Sequence, residues 1–474
     1  MQAMISKVWD WLKRESTILT LTYCGSFLCL GLLLAGLGPS LPTLGRNTNQ
    51  PDDRLGGTVT SRALGYLVGS TSGPVFHKLP GNKMVAISLI FTSVVCFLVP
   101  NLHNFYLLCV LFFFQGISMG MLDTGCNLMT LWIQKENPDP YIQSLHAAFA
   151  VGAVISPAIL KGVLAAASPI NWVWYGIGFA FFPAIALLFY FPSPTEPAHE
   201  DEHNDQEEMF KFSWENPLAV DYKPYLTVLG VALFLLCYVG GEVATGSFMT
   251  TFALRRHLTT EDGGALLTTI FWLTFAFGRL IAIPISLYVS PKVMITVDLI
   301  GTTIATIFIW VYSSSLWGLG VCLVFYGLFM ASTFPTAITL LQTIMPVTGK
   351  MTTVFVVGAS LGEMLVPLLV SHNFPATNYM SLVYVQFASV IAGTLVMIGV
   401  AVLGYLILQQ RAIKKRLEDK VQELDTVETG HSNGHSNGEL NGNSNGHSNG
   451  LNGHANGRHY ENGHDDDQVV QLEL

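Results

Sequence analysis

Six ionisable residues stand inside long apolar stretches of the chain: Asp123, His146, Glu242, Arg279, Asp298 and Glu363. A charge surrounded by hydrocarbon is costly unless it faces protein or a wet cavity, so each is a candidate binding group. Asp123 leads them. Gly116, Gly120, Asp123, Asn127 and Thr130 follow at spacings of four, three, four and three, which sets them on one helical face. The glycines admit a neighbouring helix or a ligand, while Asp123, Thr124 and Asn127 offer oxygens and an amide to a monovalent cation or a polar solute. The rival reading is a carboxylate that only packs helices. His146, about two turns into the next apolar stretch, either pairs with Asp123 or serves as a hydrogen-bonded packing residue.

The second half of the chain carries a comparable set. Tyr238, Glu242 and Thr245 recur one turn apart within Tyr238-Val-Gly-Gly-Glu-Val-Ala-Thr-Gly-Ser247, a polar, glycine-loosened stripe of the kind that lines water. Arg279 and Trp272 are seven apart on one face, so an arginine able to pair Glu242 and an aromatic plate are expected on one cavity. Glu363 follows Gly358 and Gly362, and Asp298 sits near the start of its stretch, the position of a local ion pair. One polar group from each of several segments describes a solute site rather than a reaction centre. There is no nucleophile elbow, phosphate loop, His-Glu-x-x-His or Cys-x-x-Cys in the chain, so an enzyme is not expected. No cofactor is called for; sodium enters only as a possible coupling ion on Asp123.

The elements that must hold these groups follow from composition. Of 474 residues 51% are hydrophobic and only 12% charged, and more than half of the acids lie in residues 193–218 or 410–474. A soluble surface needs about twice that share of charge. The reading is an all-α membrane protein, since continuous apolar runs of this length exclude strands. Twelve transmembrane helices are expected at about 17–45, 57–77, 83–100, 105–133, 140–166, 171–192, 223–252, 261–289, 292–313, 315–345, 348–370 and 381–409. The domains are then a cytoplasmic N-terminal segment (1–16), a six-helix half (17–192), a cytoplasmic linker (193–222), a second six-helix half (223–409) and a disordered cytoplasmic tail (410–474). The tail repeats His-Ser-Asn-Gly units that cannot bury a core. Lys and Arg are more numerous on the side holding both termini and the linker, which puts both ends in the cytoplasm; Arg255 and Arg256 fall on the other side and weaken that assignment. The net charge of −9 resides mainly in the appendages, and no basic patch suggests nucleic acid.

The halves also match each other. Phe149-Ala-Val-Gly-Ala153 corresponds to Phe355-Val-Val-Gly-Ala359, Leu64-Gly-Tyr-Leu-Val to Phe277-Gly-Arg-Leu-Ile, and Gly116-Ile-Ser-Met-Gly to Gly327-Leu-Phe-Met-Ala. Repeats that rock about a central site are a common plan for carriers. The fold expected is a 6+6 pseudo-symmetric bundle.

With Gly120-Met-Leu-Asp-Thr-Gly-Cys-Asn127, Ser144-Leu-His-Ala-Ala-Phe-Ala-Val-Gly-Ala-Val-Ile-Ser-Pro157, Phe277-Gly-Arg-Leu-Ile-Ala-Ile-Pro-Ile-Ser286, Ser332-Thr-Phe-Pro335 and Val357-Gly-Ala-Ser-Leu-Gly-Glu363, the chain resembles the major facilitator superfamily, in particular its sodium-dependent glucose transporter (NaGLT) branch and the related fucose permeases. The resemblance spans all twelve predicted helices and leaves out the termini. It implies an alternating-access hexose carrier acting on a sugar held between helices in the bilayer; with no lysosomal or retention signal evident in the tail, a monomer in the plasma membrane is expected. Asp123 takes the position of the family's acidic residue in span four, a coupling or sugar-binding group, with Asn127 one turn on; from their own setting Thr124 is read with them, and His146, Tyr238, Glu242, Trp272, Arg279 and Glu363 are assigned to the substrate. His146 and Phe149 depart from the fucose permeases' sugar-binding amides. The first span lacks their acidic residue, which moves sodium coupling or facilitated diffusion ahead of proton coupling. His77 replaces the usual acid in the signature after the second span, Gly73-Pro-Val-Phe-His-Lys78. A proton-coupled or facilitative carrier of another polar solute, and a non-transporting sensor, are the alternatives.

Overall fold

The computed structural model describes residues 15–134, 139–195, 221–345, 347 and 349–432. Every regular element among them is helical. In chain order they are α1 (Glu15–Asn47), α2 (Asp52–Ser70), α3 (Gly73–Phe76), α4 (Gly81–Leu98), α5 (Phe105–Ile133), α6 (Asp139–Ala165), α7 (Asn171–Ala180), α8 (Phe182–Tyr190), α9 (Lys223–Arg255), α10 (Glu261–Ser286), α11 (Pro291–Val311), α12 (Leu316–Met330), α13 (Thr333–Ile344), α14 (Gly349–His372), α15 (Phe374–Thr377) and α16 (Ser381–Ser432), with a short 3-10 turn after α4. Residues to Ala412 form one compact unit; those from Ile413 belong to a second, helical as far as Ser432.

Eleven helices among the described residues are long and apolar enough to cross a bilayer, α7 with α8 and α12 with α13 each counting as one. The predicted second span is the exception: it starts earlier than expected and, as α2, carries Asp52, Asp53, Arg54 and Arg62, too much charge for that test. The predicted tenth span breaks after Met330, and the sixth breaks at Phe181 ahead of Pro183. The expected start of a disordered tail at 410 is also corrected, because α16 runs on to Ser432. The N-terminal segment to residue 14, most of the linker and the His-Ser-Asn-Gly repeats lie outside the described residues.

The bundle is apolar on its outside. Ile87 and Val94 on α4, Val297, Ile300 and Ile304 on α11, and Leu395, Ile398 and Val402 on α16 are exposed, which suits hydrocarbon and not water. Inside, glycines set the helix contacts. A Cβ on Gly152 of α6 would stand 2.0 Å from the Leu28 carbonyl oxygen of α1, and one on Gly358 of α14 would stand 2.3 Å from that of Ala232 in α9. Gly65 of α2 meets Phe113 of α5 as Gly278 of α10 meets Leu328 of α12. The three sequence matches between halves are therefore matched in packing: α1 lies on α6 and α2 on α5, as α9 lies on α14 and α10 on α12. Across the halves α1 packs on α9, α2 on α14, and α6 on α10. Backbones this close gain dispersion contacts that a larger residue would prevent.

Candidate solute and cation site

Asp123 lies three residues beyond Gly120 on α5, where α5 and α2 touch backbone to backbone. A Cβ on Gly116 would sit 2.0 Å from the Arg62 carbonyl oxygen, and one on Gly120 would sit 2.3 Å from that of Tyr66. This contact aims two α2 side chains, one turn apart, at the bundle interior. The Tyr66 hydroxyl donates to Asp123 Oδ2 at 2.5 Å, and Asn127 Nδ2 donates to Asp123 Oδ1 at 3.0 Å. Asp123 forms no ion pair among the described residues and is half-buried, so neutral donors hold a carboxylate whose charge nothing cancels. Thr124 is not turned to the carboxylate: its hydroxyl donates to the Ser70 carbonyl at 3.2 Å, tying α5 to the end of α2. A carboxylate, a phenol and a carboxamide thus meet at one place, oxygen-rich chemistry of the kind that hard monovalent cations take. Among the described residues, no group of three or more His, Cys, Asp or Glu side chains is disposed to hold a metal ion.

Glu363 has a different partner. Its Oε1 lies 3.2 Å from Arg62 Nη2, with both side chains nearly inaccessible, at 9% and 2%. Glu363, expected to face the solute, is here held by a buried guanidinium. The pair crosses from α2 to α14, and a Thr60 hydroxyl bond to the Met364 carbonyl (3.2 Å) runs beside it.

Four further predicted residues gather around α9 and α10. Tyr238 is buried; its hydroxyl donates to the Met330 carbonyl, where α12 breaks, and its ring stacks on Phe234. Glu242, one turn on, is buried and lies in the fields of both Arg279 and Glu363. Arg279 makes no ion pair with Glu242 among the described residues: its guanidinium lies 4.7 Å over the Phe275 ring, and its Nε has no hydrogen-bond partner. Trp272 meets the same Phe275 ring edge-on, at 5.5 Å. It is buried at 1% exposure under Gly246, where a Cβ would come within 2.8 Å of the indole, so it packs α10 against α9. His146 meets Phe27 edge-on at 5.6 Å and lies in the Arg279 field; no hydrogen bond links it to Asp123. Asp298 accepts a 2.6 Å bond from Ser332 in place of the expected salt bridge.

Arg62 and Tyr66 escaped the sequence reading although both lie in the second predicted span. The signal was present: Arg62 is an intramembrane charge, and Tyr66 occupies in one repeat the position Arg279 occupies in the other. A third set was also missed. At the end of the bundle where α1, α9 and α14 finish, Arg255 Nε lies 2.6 Å from Asp52 Oδ2, and the Tyr379 hydroxyl donates to the same oxygen at 2.9 Å. Arg46 bonds Glu261 at 2.9 Å, with Thr43 donating to the same carboxylate. Each tie joins one half to the other, so this end is closed. Asn378 and Tyr379 both have positive φ, 48° and 65°, an unfavourable turn for bulky residues that delivers the phenol to Asp52. Arg255, on the unexpected side by charge counting, has a partner there.

Comparison with known proteins agrees with this geometry. Residues 23–367 match the family model described as Major Facilitator Superfamily. Sodium-dependent glucose transporter 1 of Homo sapiens is 31% identical over 73% of this chain and 72% of its own length, and that of Danio rerio 30% identical over 81% and 69%. Major facilitator superfamily domain-containing protein 4A of Mus musculus is 25% identical over 77% and 88%. Among solved structures, a D-xylose-proton symporter superposes with TM-score 0.62 at 16% identity, covering 81% of this chain and 96% of that one. A bacterial homolog of the human lysosomal transporter Spinster, inward-facing and unoccupied, gives 0.59 at 13%, covering 83% and 97%. With an all-helical multi-span bundle, an apolar exterior and buried polar groups drawn from several helices, the chain belongs to the Major Facilitator Superfamily, as a multi-pass, non-catalytic secondary carrier of a small polar solute.

Proposed function

We propose that the protein is a sodium-coupled symporter of a hexose, working by alternating access as a monomer in the plasma membrane, with α2 as its twelfth span, a 6+6 arrangement and both termini in the cytoplasm. The observation that carries the reading is Asp123: an intramembrane carboxylate oriented by Tyr66 and Asn127, with no ion pair among the described residues. Glu363 is offset by Arg62, whereas Asp123 forms no ion pair among the described residues. A monovalent cation would supply the missing charge there. The names of the Homo sapiens and Danio rerio relatives support sodium and glucose as the first pair to test. Tyr238, Glu242, Arg279 and His146 supply the donors, acceptors and partial charge that a hydroxyl-rich ring needs; Asn127 joins them from α5.

Sodium and sugar must then raise each other's affinity by the same factor. The test is uptake of labelled hexose into proteoliposomes with sodium outside, inside, or replaced by choline. Accumulation is expected only with an inward sodium gradient, and Asp123→Asn is expected to abolish it while the protein still reaches the membrane. Accumulation that ignores sodium, or survives Asp123→Asn, removes the reading.

A further inference from the structure

The Arg62–Glu363 pair has the wrong form for a permanent brace. A guanidinium committed to a carboxylate normally engages it with two parallel bonds. Here one Nη2 reaches one oxygen at 3.2 Å, and the buried Nε has no partner among the described residues. One turn along the same face of α2, Tyr66 holds Asp123, and its hydroxyl lies in the fields of Asp123, Glu363 and Arg62 together. The glycine contacts at Gly116 and Gly120 fix α2 on α5, so the spacing from Arg62 to Asp123 is set within one half. The spacing from Arg62 to Glu363 is set between halves and lasts only while this end is closed. When it opens, Glu363 departs with α14, and Arg62 is left one turn along α2 from Tyr66, the residue that holds Asp123.

We propose that Arg62 is an exchangeable counter-ion, shared by Asp123 and Glu363 and handed from one to the other by the coupling cation. With the end open, Arg62 turns back onto Asp123. A cation arriving at Asp123 displaces it, the freed guanidinium takes Glu363 across the interface, and the end closes. Cation binding thereby acquires the differential affinity for the closed state that any ligand needs to shift a conformational equilibrium. Arg62 acts through Asp123 and Glu363 and is a positioning residue. The inference rests on the reading of Asp123 as the cation site.

The test separates exchange from bracing by swapping the charges. Arg62→Glu with Glu363→Arg keeps an ion pair between α2 and α14 but leaves α2 with nothing to place on Asp123. Hydrogen–deuterium exchange of the segments around 47–55, 255–262 and 373–380 is followed in the full-length protein with sodium or choline, alongside binding of isotopic sodium. In the wild type, sodium is expected to slow exchange in those segments severalfold. In the swapped protein and in Glu363→Gln sodium still binds but the slowing is lost. Arg62→Gln, which removes the competitor, is expected to bind sodium several times more tightly without closing. A brace predicts no such gain. A swapped protein that responds to sodium like the wild type, or a wild type that binds sodium without slowing at this end, overturns the exchange and leaves the symport reading intact. A wild type that binds no sodium removes the symport reading itself.

Discussion

Asp123 and Glu363 are both carboxylates deep in the bundle, both addressed from α2, and their partners there are one turn apart. Asp123 receives a phenol and an amide, Glu363 a guanidinium. Neutral donors orient a carboxylate without cancelling its charge, which is why Asp123 is the proposed cation site. Arg62 does cancel the charge on Glu363, and what remains is a tie between halves. The two sites teach that in a low-dielectric interior the partner, more than the acid itself, decides whether a carboxylate binds a ligand or holds a structure.

Removing one partner at each site is the sharpest way to break the comparison. Arg62→Ala leaves Glu363 buried alone, and the expected loss of stability is about 3–5 kcal/mol. Asp123→Asn leaves an amide among donors and acceptors it can still satisfy, so its thermal unfolding in detergent is expected to match the wild type. Equal losses in both variants would mean that Asp123 is as structural as Glu363. Tyr66→Phe has a smaller effect. It preserves the ring and removes one hydrogen bond to a charged group, about 1.5–3 kcal/mol, or roughly tenfold or more in sodium half-saturation. Transport with unchanged half-saturation would reduce Tyr66 to packing.

Much of this was legible in the sequence. A helix that must satisfy its backbone in lipid leaves a long apolar run, and eleven of the twelve expected spans have one. The repeat was legible because glycine contacts need glycine in both halves, as at Gly152 and Gly358. Asp123 and Asn127 could be paired in advance because they are four apart on one helix. Partners on other helices were not legible: that Arg62 meets Glu363, or Tyr66 meets Asp123, depends on the packing of α2 against α14 and α5, which no spacing within a segment records. Trp272 and Thr124 share faces with functional candidates, yet a glycine opposite one and a carbonyl opposite the other turned both to packing. Asp52, Arg255 and Tyr379 lie in three distant stretches and meet only once the halves close.

That last cluster gives the mildest comparison, between a dry tie and a wet one. Arg62–Glu363 is sealed, whereas Arg255 is 42% exposed where it meets Asp52, so water and salt screen the attraction. Arg255→Gln is expected to cost only about 0.2–1 kcal/mol of closed-state preference. Tyr379→Phe should cost about 1.5 kcal/mol, the low end for a hydrogen bond to a charged group, because water reaches this end. The phenol of Tyr379 is pushed up to about 12, first by burial and then by the Asp52 charge, so it is the protonated form that the closed end stabilises. Its contribution is whole below the ordinary tyrosine value of about 10 and is lost as pH rises toward 12. From about pH 6 to 9 this tie should therefore be flat with pH, and raising salt should weaken the Arg255 contact while leaving the Tyr379 bond in place. Exchange rates at 373–380 measured across pH and salt, in wild type and in Tyr379→Phe, separate the two. A pH-dependent opening below 9 that disappears in Tyr379→Phe would contradict the protonated phenol as the donor to Asp52.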